Sequence, residues 1–202
     1  VECSTVAPGL TRRVAEALRA KGADMLEAPV TGSRNGADQG TLLFMTGGRP
    51  EVLDELMPVL RAMGSKAIHC GEVGDASTVK LIGNSIISFM MEALAEGAVV
   101  ARKAGIPLEK LIEVIMASGY ASPYFAFKGE AIRRRDFQQH FSIDLLVKDQ
   151  SLMLAEGEAL GATLPGLRAV REVFQEAREQ GFGQEDIAAV VKVHEARSAV
   201  SS

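Results

Sequence analysis

The hydrophobic period of this chain changes once, near residue 70, and that change restricts the folds open to it. Before it, short apolar runs at residues 24–30, 41–46 and 66–70 read as strands, each closed by glycine or a small-residue turn. Between them, residues 10–21 and 50–63 show helical apolar spacing, with Gly22 and Gly64 as stops. From Ser77 onward no strand pattern survives. A long helix runs to about Ala104 and is broken at Gly105-Ile106-Pro107, and residues 108–118, 125–134, 142–160, 164–180 and 185–196 follow as helices. Pro107 and Pro165 fall where a first helical turn tolerates proline. The expected organisation is an α/β part over residues 1–73 and an all-α domain over 74–202. Strands of a doubly wound sheet come in sets of five or six, so the first part is expected to be an incomplete piece of one.

Charge and cysteine usage exclude some classes. With 22 basic and 26 acidic residues the net charge is −4, and no broad basic face for nucleic acid is advertised. The one basic run, Arg133-Arg134-Arg135, reads as a solvated helix end. Cys3 and Cys70 form neither a CxxC pair nor a metal spacing, which suits a reducing compartment such as the cytoplasm. The richest apolar run, residues 81–101, is interrupted by Asn84, Glu92 and Glu96, so it reads as a core helix, with no membrane partner expected.

The chemistry-bearing candidates begin at residues 71–84, GEVGDASTVKLIGN, where a glycine-punctuated turn enters the long helix. Lys80 and Asn84 stand at i and i+4 and share one helical face. The mostly apolar residues that follow predict a buried lysine, whose proton chemistry desolvation would tune. The pair reads as a general acid beside an orienting amide. The alternative is a first-turn lysine with its head in water and a satisfied buried amide. Thr31, Gly32 and Ser33 close a strand and bring two hydroxyls and open backbone N–H groups, the makings of a carboxylate cradle or of an ordinary glycine turn. The series Ser88, Glu92, Glu96 continues from Lys80 but drifts about 40° per step, which takes the glutamates off the site. His69, His140 and His194 are scattered without metal-ligand spacing, so no metal is expected.

Four blocks in order resemble the β-hydroxyacid dehydrogenase family, which includes 3-hydroxyisobutyrate dehydrogenase, tartronate semialdehyde reductase and the glyoxylate/succinic semialdehyde reductases. Ser4-Thr5-Val6-Ala7-Pro8 is similar to the STxxP turn beside the nicotinamide. Ala28-Pro29-Val30-Thr31-Gly32-Ser33, with Gly36-Ala37 and Gly40, resembles the substrate-binding APVSGG…GA…G signature. Residues 71–84 are similar to GxxGxG…KxxxN, and Lys148-Asp149 to the KD pair of a later helix.

The resemblance implies an α/β partial Rossmann domain followed by an all-α domain like that of 6-phosphogluconate dehydrogenase. It implies an NAD- or NADP-dependent interconversion of a β-hydroxyacid and its semialdehyde, a small carboxylate substrate and a homodimer or homotetramer. Lys80 and Asn84 are then catalytic, Thr31, Gly32 and Ser33 bind substrate, and Ser4, Thr5 and Lys148 bind cofactor, with Ser122, Tyr124 and Phe141 as secondary contacts. Asp149 is expected to anchor its helix or Lys148, and Arg34 to face solvent. Family members open with a GxGxMG Rossmann loop; no GxGxxG between strand and helix occurs in these 202 residues, so the chain is read as a fragment inactive by itself. Asp75-Ala76 replaces the usual Ser-Gly or Asn-Gly, which questions close backbone approach there. A helical oligomerisation module that kept the fold and lost turnover is the alternative function.

Overall fold

The computed structural model describes residues 1–200. It divides into two compact units, one formed by Val1–Ser85 with Asp149–Thr163 and the other by Ile86–Lys148 with the chain from Leu164 onward. Two helices, Asp75–Lys103 and Ile143–Ala159, pass from one unit into the other.

In the first unit, helix α1 (Pro8–Arg19) is followed by strand β1 (Val30–Thr31), helix α2 (Ser33–Asp38), strand β2 (Leu42–Gly47), helix α3 (Pro50–Arg61) and strand β3 (Gly64–Gly71). Both α1 and α3 open on a proline, whose fixed φ and missing N–H suit a first turn. The sheet order is β1-β2-β3. β1 pairs antiparallel with β2, Thr31 opposite Leu43, and β2 pairs parallel with β3, Phe44 opposite Ala67, across the α3 connection. Leu26, Ala28, Phe44 and Leu60 form the core, closed by Val52, Leu53 and Leu56 of α3.

The expected strand over residues 24–30 is mostly not a ladder. Only Val30–Thr31 pair continuously, while Glu27 makes single bridges to Glu2 and Gly47. Pro29 has no N–H to carry the ladder from Glu27 to Val30, while the Glu27 carboxylate turns to Gly74 and Ser77 at the start of the long helix. Residues 33–38, expected to be part of a glycine loop, form the short helix α2. Its entry needs Gly32 at φ 135°, a value side chains avoid, and a Cβ there would press on Leu42 Cδ2 at 3.2 Å.

Helix α4 (Asp75–Lys103) has 29 residues, about 44 Å at 1.5 Å per residue. By length and composition it could cross a membrane, but half of its most apolar window is buried within the protein. The helices α5 (Leu108–Ala117), α6 (Pro123–Arg134), α7 (Ile143–Ala159), α8 (Pro165–Ala177) and α9 (Val191–Arg197) follow. The helix expected to run to residue 180 ends at Ala177 and continues as a π-turn kinked at Gly181, φ 92°. The last expected helix starts as a 3₁₀ segment, Ile187–Val190, because Asp186 caps it by accepting from Ala188 N.

The second unit packs Met91, Leu94 and Val99 of α4 with Ile132, Ile143, Leu146, Phe174 and Val193. At its centre Lys128 Nζ meets Asp186 Oδ1 at 2.7 Å, with both side chains almost fully buried. Asp186 also accepts backbone N–H bonds from His140 and Phe141. Burial pushes the Lys128 ammonium below its ordinary range, and the carboxylate pulls it back.

Candidate active site

The start of α4 is held by a carboxylate from the first unit's sheet. Glu27, 1 % exposed, accepts N–H bonds from Gly74 at 2.7 Å and Ser77 at 2.8 Å, and also the Ser77 hydroxyl. These are first-turn donors that have no partner inside the helix, and an anion also complements the positive end of its dipole. Thr11 Oγ1 lies 3.4 Å from Ser77 Oγ, which adds α1 to the same junction. Asp75 closes the preceding turn by accepting from Glu72 N at 2.9 Å. The glycine this turn requires is Gly74, φ 102°, with Arg12 against its open side. Ala76, of the Asp75-Ala76 departure, is fully buried in the first turn of α4.

Lys80 and Asn84 lie one turn apart beyond this junction, as their spacing predicts. Lys80 is half-buried and not buried, which corrects the expectation drawn from its apolar neighbours. Asn84 is 4 % exposed, and its Nδ2 donates to Asp149 Oδ2 at 2.6 Å. A carboxylate only accepts, so the amide must turn its NH₂ toward Asp149, leaving Oδ1 and a second N–H for another partner. Asp149, 3 % exposed, is thus the partner of Asn84. Lys148, the preceding residue, is exposed at the end of the second unit's share of α7.

Thr31 is half-buried at the end of β1, and Gly32 and Ser33 are exposed, Ser33 at φ 55°. Ser4 and Thr5 follow the bridge that sets Glu2 beside Glu27. Backbone bonds lock that crossing, Glu2 N to Leu26 O at 2.9 Å and Ala28 N to Glu2 O at 2.7 Å. Ser4 N donates to Glu2 Oε1 at 2.7 Å, and bonding from Ser4 holds the Glu2 carboxyl below its usual range. Glu27 therefore links three of the four sequence blocks. Its neighbours bridge to the Ser4 turn, its own strand runs into Thr31, and its carboxylate grips the helix of Lys80 and Asn84.

The remaining candidates have local roles. Ser122 accepts from Tyr124 N at 3.2 Å and caps α6. Arg34 is exposed and 3.7 Å from Asp38. His69 Nε2 lies 2.8 Å from Gly48 O, and the His140 ring stands edge-on to Phe127 at 5.1 Å.

Glu27 was not singled out as a site residue from the sequence. The signal for it is present, a single carboxylate inside the apolar run Met25-Leu26-Glu27-Ala28. A charge is rarely placed in such a run unless it is paired or hydrogen-bonded.

The donor set fits one end of a nicotinamide dinucleotide. Ser4 and Thr5 offer two hydroxyls on a turn fixed by Glu2, suited to a carboxamide or ribose. No GxGxxG fingerprint for a pyrophosphate occurs among the 202 residues.

Comparison with known proteins matches this arrangement. Residues 74–194 match the family described as the NAD-binding of NADP-dependent 3-hydroxyisobutyrate dehydrogenase, and residues 1–71 match the NAD binding domain of 6-phosphogluconate dehydrogenase. The chain is 35% identical over 202 residues to 2-(hydroxymethyl)glutarate dehydrogenase of Eubacterium barkeri, covering 100% of this chain and 67% of that protein. It is 31% identical over 192 residues to glyoxylate/succinic semialdehyde reductase 1 of Arabidopsis thaliana, covering 95% and 66%. The crystal structure of 3-hydroxyisobutyrate dehydrogenase from Salmonella typhimurium superposes with a TM-score of 0.87 at 31% identity, over 95% of this chain and 67% of that one. The chain thus spans about two thirds of the length of these relatives. Its NAD- or NADP-binding family, its fold and its ordered motifs agree, and the chain belongs to the β-hydroxyacid dehydrogenase family.

Proposed function

We propose that this chain supplies the substrate and proton-handling side of an NAD(P)-dependent oxidoreductase that interconverts a β-hydroxyacid and its semialdehyde. The substrate is of the 3-hydroxyisobutyrate, tartronate semialdehyde or glyoxylate/succinic semialdehyde type. The observation that carries this reading is the Asn84 amide, pinned by buried Asp149 at 2.6 Å one turn beyond Lys80. Burying an amide against a carboxylate costs desolvation that an apolar pair would avoid, while an oriented donor and acceptor is what a substrate oxygen requires. The names of the similar proteins share a hydroxymethyl or aldehyde group in a carboxylic acid.

In the reducing direction the Lys80 ammonium hydrogen-bonds the carbonyl oxygen, stabilises the developing negative charge and transfers a proton to it. In the oxidising direction the neutral amine takes that proton back. Asn84 orients the substrate oxygen against Lys80. Thr31, Gly32 and Ser33 hold the carboxylate with hydroxyl and backbone donors. Ser4, Thr5 and Lys148 are the residues assigned to the cofactor, which when bound would supply the hydride as NAD(P)H in reduction and accept it as NAD(P)+ in oxidation. The exposed thiol of Cys3 and the half-buried one of Cys70 suit a cytoplasmic setting.

A homodimer or homotetramer is part of the proposal. Val79, Ile82, Ile86 and Phe89 are each 42–55 % exposed and recur at 3-4-3 spacing along α4, a seam that a second helix of the same kind covers. This seam taken alone also suits a non-catalytic oligomerisation module. Steady-state kinetics of Lys80→Ala in a full-length parent, with a melting curve, separates the two. The catalytic reading expects kcat to fall by roughly two to four orders of magnitude with cofactor affinity little changed. Wild-type turnover with a lowered melting point refutes it.

A further inference from the structure

Three side chains outside the proposed reaction converge in the helical unit. Glu92 and Glu96 stand one turn apart on α4, past the end of the apolar seam, and His194 on α9 meets them. One ligand atom from each lies within 4.8 Å of the other two. Glu92 is 8 % exposed, 11 % over its side chain, and His194 is 7 % exposed, while Glu96 opens to solvent. Despite this burial, Glu92 Oε2 and His194 Nε2 have no hydrogen-bond partner among the described residues. Nε2 is 2.9 Å from Glu92 Oε1 but out of line for an N–H···O bond.

We infer that Glu92, Glu96 and His194 form a binding site for a divalent transition-metal cation, of which Zn²⁺ is the type. Adjacent ligands about 2.0–2.2 Å from one tetrahedral cation stand about 3.3–3.6 Å apart, so the Glu92–His194 approach of 2.9 Å has to open by only about half an ångström to become a ligand–ligand edge. A cation resolves what the side chains leave open, the buried carboxylate oxygen, the misaligned imidazole nitrogen and two carboxylates side by side on one helix. A Glu92–His194 ion pair by itself leaves Oε2 without a partner and gives Glu96 no role. An imidazole with two carboxylates suits Zn²⁺ or a neighbouring first-row ion and disfavours Mg²⁺, which selects oxygen ligands and waters. Three protein ligands leave a fourth position on the Glu96 side, where solvent reaches. The site joins the part of α4 beyond Ser85 to α9, both within the helical unit, and is independent of the Lys80 chemistry.

The test is calorimetric titration of the chelator-treated full-length protein with ZnCl₂, read with a melting curve. One Zn²⁺ per chain and a raised melting temperature are expected, with no response to MgCl₂ at the same concentration. Glu96→Gln alters an exposed residue and keeps the fold, and it should weaken Zn²⁺ by at least about tenfold, since even the supporting shell of a metal site is worth that much. His194→Gln should abolish the one-to-one step. No Zn²⁺ binding at about 100 µM, an equal response to Mg²⁺, or unchanged affinity in folded Glu96→Gln would each overturn the inference.

Discussion

At the scale of single residues, Asp149 and Asn84 form one unit. Asp149→Ala leaves the Asn84 amide buried without its acceptor, at a cost of about 1–3 kcal/mol. It also frees the amide to turn, so kcat/KM should fall about ten- to a hundredfold, as it should for Asn84→Ala. The double variant should be little worse than either single one, since both remove the same oriented group. Additive losses in the double-mutant cycle would show that Asp149 acts elsewhere. Lys128→Met is the contrasting case. It strands Asp186 as a buried charge and should cost about 3–5 kcal/mol of stability in a denaturant melt. The spacing of Lys80 and Asn84 was legible in the sequence, and their burial only half so. Val79 and Ile82 flank Lys80 in sequence but are 42 % and 43 % exposed, so apolar neighbours at this turn do not imply a buried face. The convergence of His194 with Glu92 was not legible, because more than a hundred positions separate them and no spacing rule reaches across helices.

At the scale of elements, the entry to α4 is built before the reactive turn begins. Glu27→Gln keeps the side chain's shape but replaces one acceptor by an NH₂ group, facing donors at Gly74 and Ser77. The loss of the helix-end charge and of one buried acceptor should cost about 2–3 kcal/mol. If this junction positions Lys80, kcat should fall as well, measured well below the variant's melting temperature. A lowered melting temperature with kcat intact would leave Glu27 a purely structural cap. The seam on α4 has its own test. Ile86→Glu places a charge among Ile82 and Phe89 and should shift the full-length protein toward monomer in light scattering, with little change in monomer secondary structure. Periodicity found β2, β3 and most helices, because each packs an apolar face on the core of one unit or the other. It overextended the strand before Val30, where a buried carboxylate takes part in helix capping, and missed α2, whose six residues depend on the backbone of Gly32 more than on any apolar stripe.

For the whole molecule, the decisive relation is between what these residues can hold and what turnover requires. In the proposed reading Ser4 and Thr5 take the nicotinamide end of a dinucleotide, and Thr31 to Ser33 with Lys80 and Asn84 take a small hydroxyacid. The 202 residues contain no GxGxxG fingerprint between strand and helix, and a pyrophosphate is ordinarily held at such a loop and the helix N-terminus behind it. Substrate recognition and turnover should therefore separate in this chain. Residues 1–202 alone should oxidise no NADH or NADPH with glyoxylate or succinic semialdehyde. The same protein should still bind 3-hydroxyisobutyrate or a related hydroxyacid weakly, detected as amide shifts at Gly32 and Asn84 in an NMR titration and lost in Lys80→Ala. Joining the chain to a dinucleotide-binding segment of the family should then restore turnover without altering the residues that shift. Robust turnover by residues 1–202 alone would mean that they grip the cofactor by another route, and amide shifts unaffected by Lys80→Ala would move the substrate site away from α4.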